Sequence, residues 1–280
     1  MIKIEGLVFR YDGSPRDALN DISLDIEEGD FVGIIGPSGA GKSTLTYALN
    51  GVVPHHYSGN FRGRVEICGM DTAKAGPEAI SKYVGSVFQD IEGQILSSVV
   101  EDEILFGLEN FGIPRGEIEP RVEYALKTAG ISELRHRNIS SLSGGQKQKV
   151  ALASIIALRP KIMALDEPTG ELDPQSSRRV FETLKELNER HGLTIVVVEQ
   201  KIMMLCEFAH RLVVMDEGRI AAEGPAREVL RRGGMLEEIG VNIPRIATLA
   251  RKLRGLGLYD GITPLNLAEA EKMMRNGRQC

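Results

Sequence analysis

The feature that most constrains the fold is a glycine-rich turn that separates an apolar run from a helix-forming stretch. The run Phe31-Val32-Gly33-Ile34-Ile35 predicts a buried strand. It leads into residues 36–44, Gly-Pro-Ser-Gly-Ala-Gly-Lys-Ser-Thr, and the sequence from Gly41 to about Asn50 favours a helix. A buried strand that turns directly into a helix commits the chain to an α/β fold.

Further strands and helices alternate along the chain. Short runs of aliphatic residues predict buried strands at 162–165, 194–198 and 212–215. Asp173 and Pro174 are typical of the N-cap and the first turn of a helix between two of these strands. Strands that alternate with helices predict an α/β architecture around a mostly parallel sheet.

The N-terminal residues follow a different pattern. Apolar residues alternate with polar ones in short segments separated by turns, at Ile2, Ile4, Val8, Leu24 and Ile26. This alternation is typical of strands with one buried face. We therefore expect a small antiparallel β subdomain beside the main sheet.

The middle and the end of the chain are predominantly helical. Residues from about 91 to 158 form an expected helical subdomain, with breaks near Gly112 and Gly130. Residues 1–225 are predicted to form one domain, and residues 226–280 a small C-terminal helical region whose last residues, Met273–Cys280, are loose. Its main helix begins near Pro244 and carries one apolar face, formed by Ile246, Leu249, Ala250 and Leu253.

Composition argues against several classes of protein. The formal net charge is -5, which does not favour a nucleic-acid-binding protein. Cys68, Cys206 and Cys280 are widely separated, so we expect free thiols in a reducing compartment and no zinc site. The N-terminus has no apolar signal core, and no apolar run reaches the length of about 18 residues that a membrane span requires. Any work at a membrane must therefore involve a partner.

The glycine-rich turn satisfies the P-loop pattern GxxxxGK[ST] in the strand-loop-helix context that this motif requires. Glycines allow successive backbone N–H groups to point at phosphate oxygens, and the helix N-terminus favours an anion. Lys42 is expected to reach the β and γ phosphates, and the Ser43 hydroxyl to bind Mg²⁺. The predicted nucleotide-binding residues are Gly36, Pro37, Ser38, Gly39, Ala40, Gly41, Lys42, Ser43 and Thr44. The expected fold is thus a P-loop NTPase core.

Two adjacent carboxylates follow the strand predicted at 162–165. Asp166 and Glu167 lie where a strand leaves an open α/β sheet, which is the edge at which ligands bind. Asp166 is suited to hold Mg²⁺, and Glu167 is suited to orient and deprotonate the water that attacks the γ-phosphate. The alternative interpretation is an ordinary strand exit with solvated acids.

A second anion-binding end is predicted at Leu142-Ser143-Gly144-Gly145-Gln146, which precedes a long helix from Lys147 to about Leu158. Together with the two motifs above, this segment resembles the LSGGQ signature of ABC ATPases. The resemblance implies that Ser143, Gly144, Gly145 and Gln146 bind ATP held by the P-loop of an opposite subunit. Two ATP molecules would then be enclosed between two ATPase subunits, which are either identical or related.

Other positions match the same family in order. Tyr11 resembles the aromatic residue that stacks on adenine, although a packing or surface tyrosine is the alternative. Gln89 resembles the Q-loop glutamine, which contacts Mg²⁺ and relays motion to a membrane partner. Residues 171–173, Glu-Leu-Asp, resemble the D-loop, which crosses the dimer interface.

Several segments are similar to one branch, the energy-coupling-factor transporter ATPases. They are residues 89–94, 100–104, 106–110, 240–244 and 262–264. For the acids within 101–103, a solvated helix start is the alternative. The branch implies an importer of a vitamin or a transition-metal ion. It also implies a transmembrane scaffold subunit, a substrate-capturing membrane subunit, and a peripheral location at the cytoplasmic face of the membrane.

One position departs from the family pattern. Gln200 lies where members usually carry a histidine that contacts the γ-phosphate, and His210 is expected inside the following helix. A glutamine can donate a hydrogen bond to phosphate, but it cannot exchange a proton. Either Gln200 substitutes adequately, with slowed hydrolysis, or this subunit is a regulatory one paired with an active ATPase. A soluble ABC ATPase outside transport is a further alternative.

Overall fold

Two β-sheets organise residues 1–276, the part of the chain that the computed structural model describes. The strands are β1 (Ile2–Tyr11), β2 (Leu19–Ile26), β3 (Phe31–Ile35), β4 (Gly59–Ile67), β5 (Met70–Asp71), β6 (Val84–Val87), β7 (Ile162–Asp166), β8 (Thr194–Val198), β9 (Arg211–Asp216) and β10 (Arg219–Gly224). The helices up to the middle of the chain are α1 (Lys42–Leu49), α2 (Val52–His55), α3 (Pro77–Ser81), α4 (Ile91–Gln94), α5 (Val100–Asn110), α6 (Arg115–Ala129) and α7 (Gly144–Leu158). They are followed by α8 (Pro174–His191), α9 (Ile202–Phe208), α10 (Ala226–Arg231), α11 (Gly233–Glu238), α12 (Arg245–Gly255) and α13 (Leu267–Asn276).

The larger sheet confirms the predicted α/β class. Its strands run in the order β10-β9-β3-β8-β7-β6, and all neighbours pair in parallel except the edge strand β10. Every residue of β3, β7 and β8 is buried, as expected for strands covered by helices on both faces. Because these strands are parallel, the residues that follow β3, β6, β7 and β8 meet at one edge of the sheet.

The smaller sheet is antiparallel, with the order β2-β1-β4-β5, as predicted for the N-terminal region. One expectation within it was wrong: Val8 is only partly buried, whereas Leu7 and Phe9 are fully buried. A shift in register between Ile4 and Leu7 reverses the alternation, and Gly6 adopts a φ of +54° there. The inserted residue turns the second half of β1 over, so that odd positions face the core.

The acidic start of α5 is not simply solvated. Glu103 is buried, and its Oε2 accepts hydrogen bonds from the backbone N–H groups of Leu96 and Ser97 at 3.0 and 2.8 Å. Glu101 is half-buried and pairs with Arg135. The solvated interpretation is therefore wrong for Glu103, which ties the end of the Q-loop segment to the helical subdomain.

The C-terminal helices pack against the rest of the chain differently from the sequence expectation. In α12 the buried residues are Ala247 and Ala250, while Leu249 is 40% exposed. The small alanines allow close packing. Arg251 of α12 also forms an ion pair with Glu237 of α11. The domain boundary at 225 stays a prediction. The segment expected to be loose, Met273–Cys280, is not loose at its start, because Met273 is buried and belongs to α13. Residues 277–280, including Cys280, lie outside the described residues.

Among the residues that the structure describes, no helix combines the length and the apolar character that crossing a bilayer requires.

Candidate functional site

The glycine-rich loop follows β3 and is closely enclosed by its neighbours. Gly36 has a φ of +156°, and a Cβ atom there would lie 2.2 Å from the carbonyl oxygen of Met215 at the end of β9. Gly41, with a φ of +95°, would place a Cβ atom 2.3 Å from the carbonyl oxygen of Ala18. Both distances are far below van der Waals contact, so these two positions require glycine for space as well as for conformation.

Lys42 lies inside this loop. Its side chain is 9% exposed, and Nζ donates to the carbonyl oxygens of Gly36 and Pro37 at 3.0 and 2.8 Å. Burial lowers the pKa of the ammonium group, while the nearby carboxylates of Glu167 and Asp166 oppose that shift. An ammonium group has three N–H donors, so the loop leaves one available for an anion.

Asp166 ends β7 and is 2% exposed. Burial raises the pKa of its carboxyl group, and the nearby Ser43 hydroxyl counteracts this effect. Within the described residues, Oδ2 of Asp166 is buried without a hydrogen-bond partner. Buried carboxylate oxygens in proteins usually bind a donor or an ion, so this oxygen is available as a ligand. The oxygens of Asp166 and Ser43 are hard ligands of the kind that bind a small divalent cation, so these residues fit such an ion.

Glu167 adopts a left-handed backbone conformation, with a φ of +52°. Such a conformation costs about 1–2 kcal/mol for a residue with a side chain. Its N–H donates to the carbonyl oxygen of Val198 at 2.9 Å, and its own carbonyl oxygen accepts from Gln148 Nε2 at 2.9 Å and from the N–H of Gly170 at 3.1 Å. These backbone contacts hold the strained residue in place directly after β7.

The Glu167 carboxylate meets two amide side chains from neighbouring strand ends. Gln200, which follows β8, donates from Nε2 to Oε1 at 2.8 Å. Gln89, which follows β6, donates from Nε2 to Oε2 at 3.4 Å. The structure thus brings three of the proposed site residues together, although they are separated by 33 and 78 positions in the sequence.

The predicted signature segment forms the first turn of α7. The helix begins at Gly144 and not at Lys147, because Ser143 is the N-cap and makes a capping box with Gln146. A Cβ atom on Gly145 would lie 2.8 Å from Cδ2 of Leu172, so the segment 171–173 of the same chain lies directly against the signature glycines. Ser143 and Gly144 are exposed at the surface.

Tyr11 is tied to the first helix after the loop. Its hydroxyl oxygen lies 3.0 Å from Oγ1 of Thr44, and its ring contacts the ring of Tyr57 edge-on, with centroids 5.8 Å apart. Burial raises the pKa of the Tyr11 hydroxyl. Tyr57, which lies partly exposed beside Tyr11, was not among the predicted site residues. The adenine-stacking role of Tyr11 stays a prediction.

Sequence reasoning missed several residues of this region. Glu199 and Lys201 flank Gln200 and bond to the loop after Glu167. Residues 240–242, predicted only as part of a segment similar to one branch of the family, line the cleft together with Gln200 and the P-loop. Glu199 could have been predicted as a site residue, because it is a carboxylate that directly follows the apolar strand β8. His210 was expected within a helix, but it lies beyond the end of α9, where its Nδ1 accepts from the N–H of Phe31.

Comparisons with known proteins are consistent with this geometry. A sequence profile of the family described as ABC transporter matches residues 19–170, more than half of the chain. An inferred ABC transporter ATP-binding protein of Pyrococcus abyssi is 39% identical over 258 residues, covering 92% of each chain. A similar protein of Methanosarcina mazei is 41% identical over 90% of this chain, but the chain spans only 44% of that relative's length.

Two solved structures have the same fold. One is cbiO1 from Clostridium perfringens, part of the ABC transporter complex cbiONQ, with a TM-score of 0.74 and 32% identity over 89% of this chain and 97% of that chain. The other is a dimeric ATP-binding cassette in a post-hydrolysis state bound to ADP and Pi, with a TM-score of 0.72 and 29% identity over 81% of this chain and 99% of that chain.

Proposed function

The chain belongs to the ABC transporter family of ATP-binding proteins, and on that premise we propose that it is one half of an ATP-sandwich dimer that drives an importer of the energy-coupling-factor type. ATP binding and hydrolysis follow from membership of the family. The observation that carries the proposal is the carboxylate of Glu167, which is held between Gln89 and Gln200 at the sheet edge that also carries the P-loop.

In this proposal the P-loop binds the phosphates of ATP. Its backbone N–H groups and the start of α1 favour the anion, and Lys42 uses its remaining donor for a terminal phosphate oxygen. Because Lys42 is already held by two carbonyl oxygens, little side-chain entropy is lost when phosphate binds. Tyr11 contacts Thr44 in the first turn of α1, close to the P-loop, and in this proposal it stacks on adenine.

Glu167 orients the attacking water and accepts its proton at a carboxylate oxygen. Gln200 and Gln89 hold the two carboxylate oxygens, so the base does not have to be ordered at each turnover. Gln200 replaces the usual histidine in this arrangement, and its direct contact with Glu167 supports slowed but real hydrolysis over a purely regulatory role.

Mg²⁺ is the cation that the buried oxygens fit. Asp166 and Ser43 would hold it, with Gln89 nearby, and their hard oxygen ligands match its preference. When bound, the ion neutralises charge on the β and γ phosphates.

The second half of the site comes from a neighbouring ATPase subunit. The proposed ATP contacts there are Ser143, Gly144, Gly145 and Gln146, at the N-terminus of α7. The segment 171–173 packs on these glycines, so movement at the interface reaches the loop that carries Glu167. Closure therefore depends on the nucleotide, and hydrolysis reopens the pair.

The importer type rests on two supports. Residues 89–94, 100–104 and 106–110 are similar to the energy-coupling-factor branch. The structure of cbiO1, part of the complex cbiONQ, has the same fold over most of its length. The partners are then a transmembrane scaffold and a substrate-capturing membrane subunit, with this chain at the cytoplasmic face. The cargo is a micronutrient, either a vitamin or a transition-metal ion.

The proposal is tested on tagged wild-type chain and Lys42→Ala extracted from native membranes in mild detergent. We expect wild type to bring down a protein with several membrane spans, and ATP to draw two ATPase subunits together. Lys42→Ala should keep the membrane partner but lose ATP affinity. Wild type that neither gains a membrane partner nor pairs in ATP would contradict the proposal and favour a soluble ABC ATPase.

A further inference from the structure

Glu199 and Lys201, the residues on either side of Gln200, both hold the loop that follows Glu167. The Glu199 side chain is 3% exposed, and its Oε1 accepts from both the backbone N–H and the hydroxyl of Thr169, at 3.0 and 2.5 Å. Burial raises the pKa of the Glu199 carboxyl group, and these donors partly offset that effect.

Lys201 completes the arrangement from the other side. Its Nζ donates to the carbonyl oxygens of Thr169 and Leu172, at 2.5 and 3.0 Å, and to Oγ of Ser177 at 2.9 Å. All three ammonium donors are therefore used, and all three acceptors belong to one stretch of chain, residues 169–177. The backbone N–H of Lys201 also donates to Oε2 of Glu199 at 3.4 Å.

Thr169 thus forms hydrogen bonds through its N–H, its hydroxyl and its carbonyl oxygen. It lies two residues after Glu167, and its partners, Glu199 and Lys201, are the sequence neighbours of Gln200. Sheet pairing between β7 and β8 ends at Asp166 and Val198, and one further hydrogen bond joins Glu167 to Val198. The contacts of Thr169 extend this connection beyond the sheet, to the loops that carry the two functional side chains.

Burying these charged groups costs free energy of desolvation, so a contribution to stability alone is a weak explanation for them. A carboxylate as buried as Glu199 loses most of its hydration, and the Lys201 ammonium lies at the N-terminal end of α8, where the helix dipole disfavours a cation. Buried charged groups can often be replaced by apolar residues of similar volume without loss of stability. Their directional hydrogen bonds, in contrast, determine where the two loops lie.

We propose that Glu199 and Lys201 are positioning residues for ATP hydrolysis: by holding Thr169 they keep Glu167 and Gln200 in contact and fix the segment 171–173 against the signature glycines. The inference rests on the proposed function, because it assigns these residues to the step in which Glu167 acts. It concerns turnover and not ATP binding, since neither residue belongs to the P-loop.

The test compares kcat and KM for ATP in Lys201→Met, which preserves side-chain length but removes all three donors. We expect kcat to fall about tenfold, which corresponds to about 1.4 kcal/mol, with KM changed by less than about twofold. Arg178→Met is the matched control, because Arg178 also joins α8 to a neighbouring helix, through Glu207, without touching residues 169–173. It should leave both constants unchanged.

A second pair of variants tests the same contact in case Lys201→Met does not fold. Thr169→Val has nearly the same shape as wild type but lacks the hydroxyl that donates to Glu199, whereas Thr169→Ser retains it. Thr169→Val should lower kcat and Thr169→Ser should restore most of it, with melting temperatures close to each other. The inference is overturned by wild-type kcat in Lys201→Met and Thr169→Val, or by losses that lie wholly in KM. An unmodified chain without Glu167-dependent ATPase activity would instead refute the proposed function.

Discussion

Replacing Glu167 by glutamine separates the chemistry at this site from its architecture. The side chains have nearly the same size, and the backbone contacts of residue 167 with Val198, Gln148 and Gly170 involve only its N–H and carbonyl groups. The left-handed conformation is therefore retained. The variant amide oxygen still accepts from Gln200, but its NH₂ group then faces the NH₂ group of Gln89.

The magnitude of the effect follows from these contacts. Losing the hydrogen bond to Gln89, 3.4 Å in the parent chain, costs about 1 kcal/mol or less. Losing a general base costs roughly 10²–10⁴-fold in rate, or about 3–5 kcal/mol of barrier. The catalytic loss therefore exceeds the structural one. Removing a negative charge beside the phosphate site also favours ATP, and it lowers the pKa of Asp166, which Glu167 raises in the parent chain.

The assay measures phosphate release in steady state, ATP affinity by titration, and subunit pairing by size-exclusion chromatography in ATP and Mg²⁺. We expect Glu167→Gln to bind ATP at least as well as wild type, to accumulate the paired form, and to lose at least about 100-fold in turnover. Glu182→Gln, on the exposed face of α8, is the control and should behave as wild type. A turnover within tenfold of wild type would refute the assignment of Glu167 as the base.

Three further predictions concern other parts of the molecule. Gln200→His introduces a group that can exchange a proton beside the base, so ATPase turnover in the assembled transporter should rise a few-fold; an unchanged rate would show that this position does not limit turnover. Gly145→Ala places a Cβ atom 2.8 Å from Leu172 Cδ2, so ATP-dependent pairing should weaken while the ATP affinity of the separate subunit is unchanged. The Arg227 hydrogen bonds lower the pKa of Glu269, so this pair stabilises the docking of α13 above the unfolded-state pKa of about 4.3 and ceases to do so as the pH falls through the lower folded-state value. Glu269→Gln should remove that part of the acid dependence of the melting temperature, and an unchanged pH profile would contradict it.

Local patterns predicted much of the candidate site. The turn after β3 requires glycine at residues 36 and 41, and the sequence around it shows a strand before and a helix after. The cap at Asp173 and the signature at Ser143 are likewise recognisable, because a cap bonds to residues only two or three positions away. Such features depend on nearby backbone geometry, so short stretches of sequence determine them.

Periodicity alone did not predict correctly which residues of β1 and α12 are buried. One extra residue near Gly6 reversed the alternation in β1, so that Val8 lost its expected place in the core. In α12 the predicted apolar face was only partly right: Ala250 is buried as expected, but Ala247 is buried with it while Leu249 is exposed. Period counting assumes an uninterrupted element and a partner that favours large side chains, and neither assumption held here.

Short stretches of sequence were sufficient to predict a phosphate-binding loop after the third strand and two acids at the end of a later strand. The side chains that surround Glu167, in contrast, depend on the order of the strands in the sheet. Gln89 and Gln200 reach Glu167 because β6, β7 and β8 are neighbours in the sheet, although they are far apart in the sequence. Glu199 and Lys201 hold Thr169 for the same reason. Contacts between residues 30 or more positions apart depend on strand order, which no local pattern encodes.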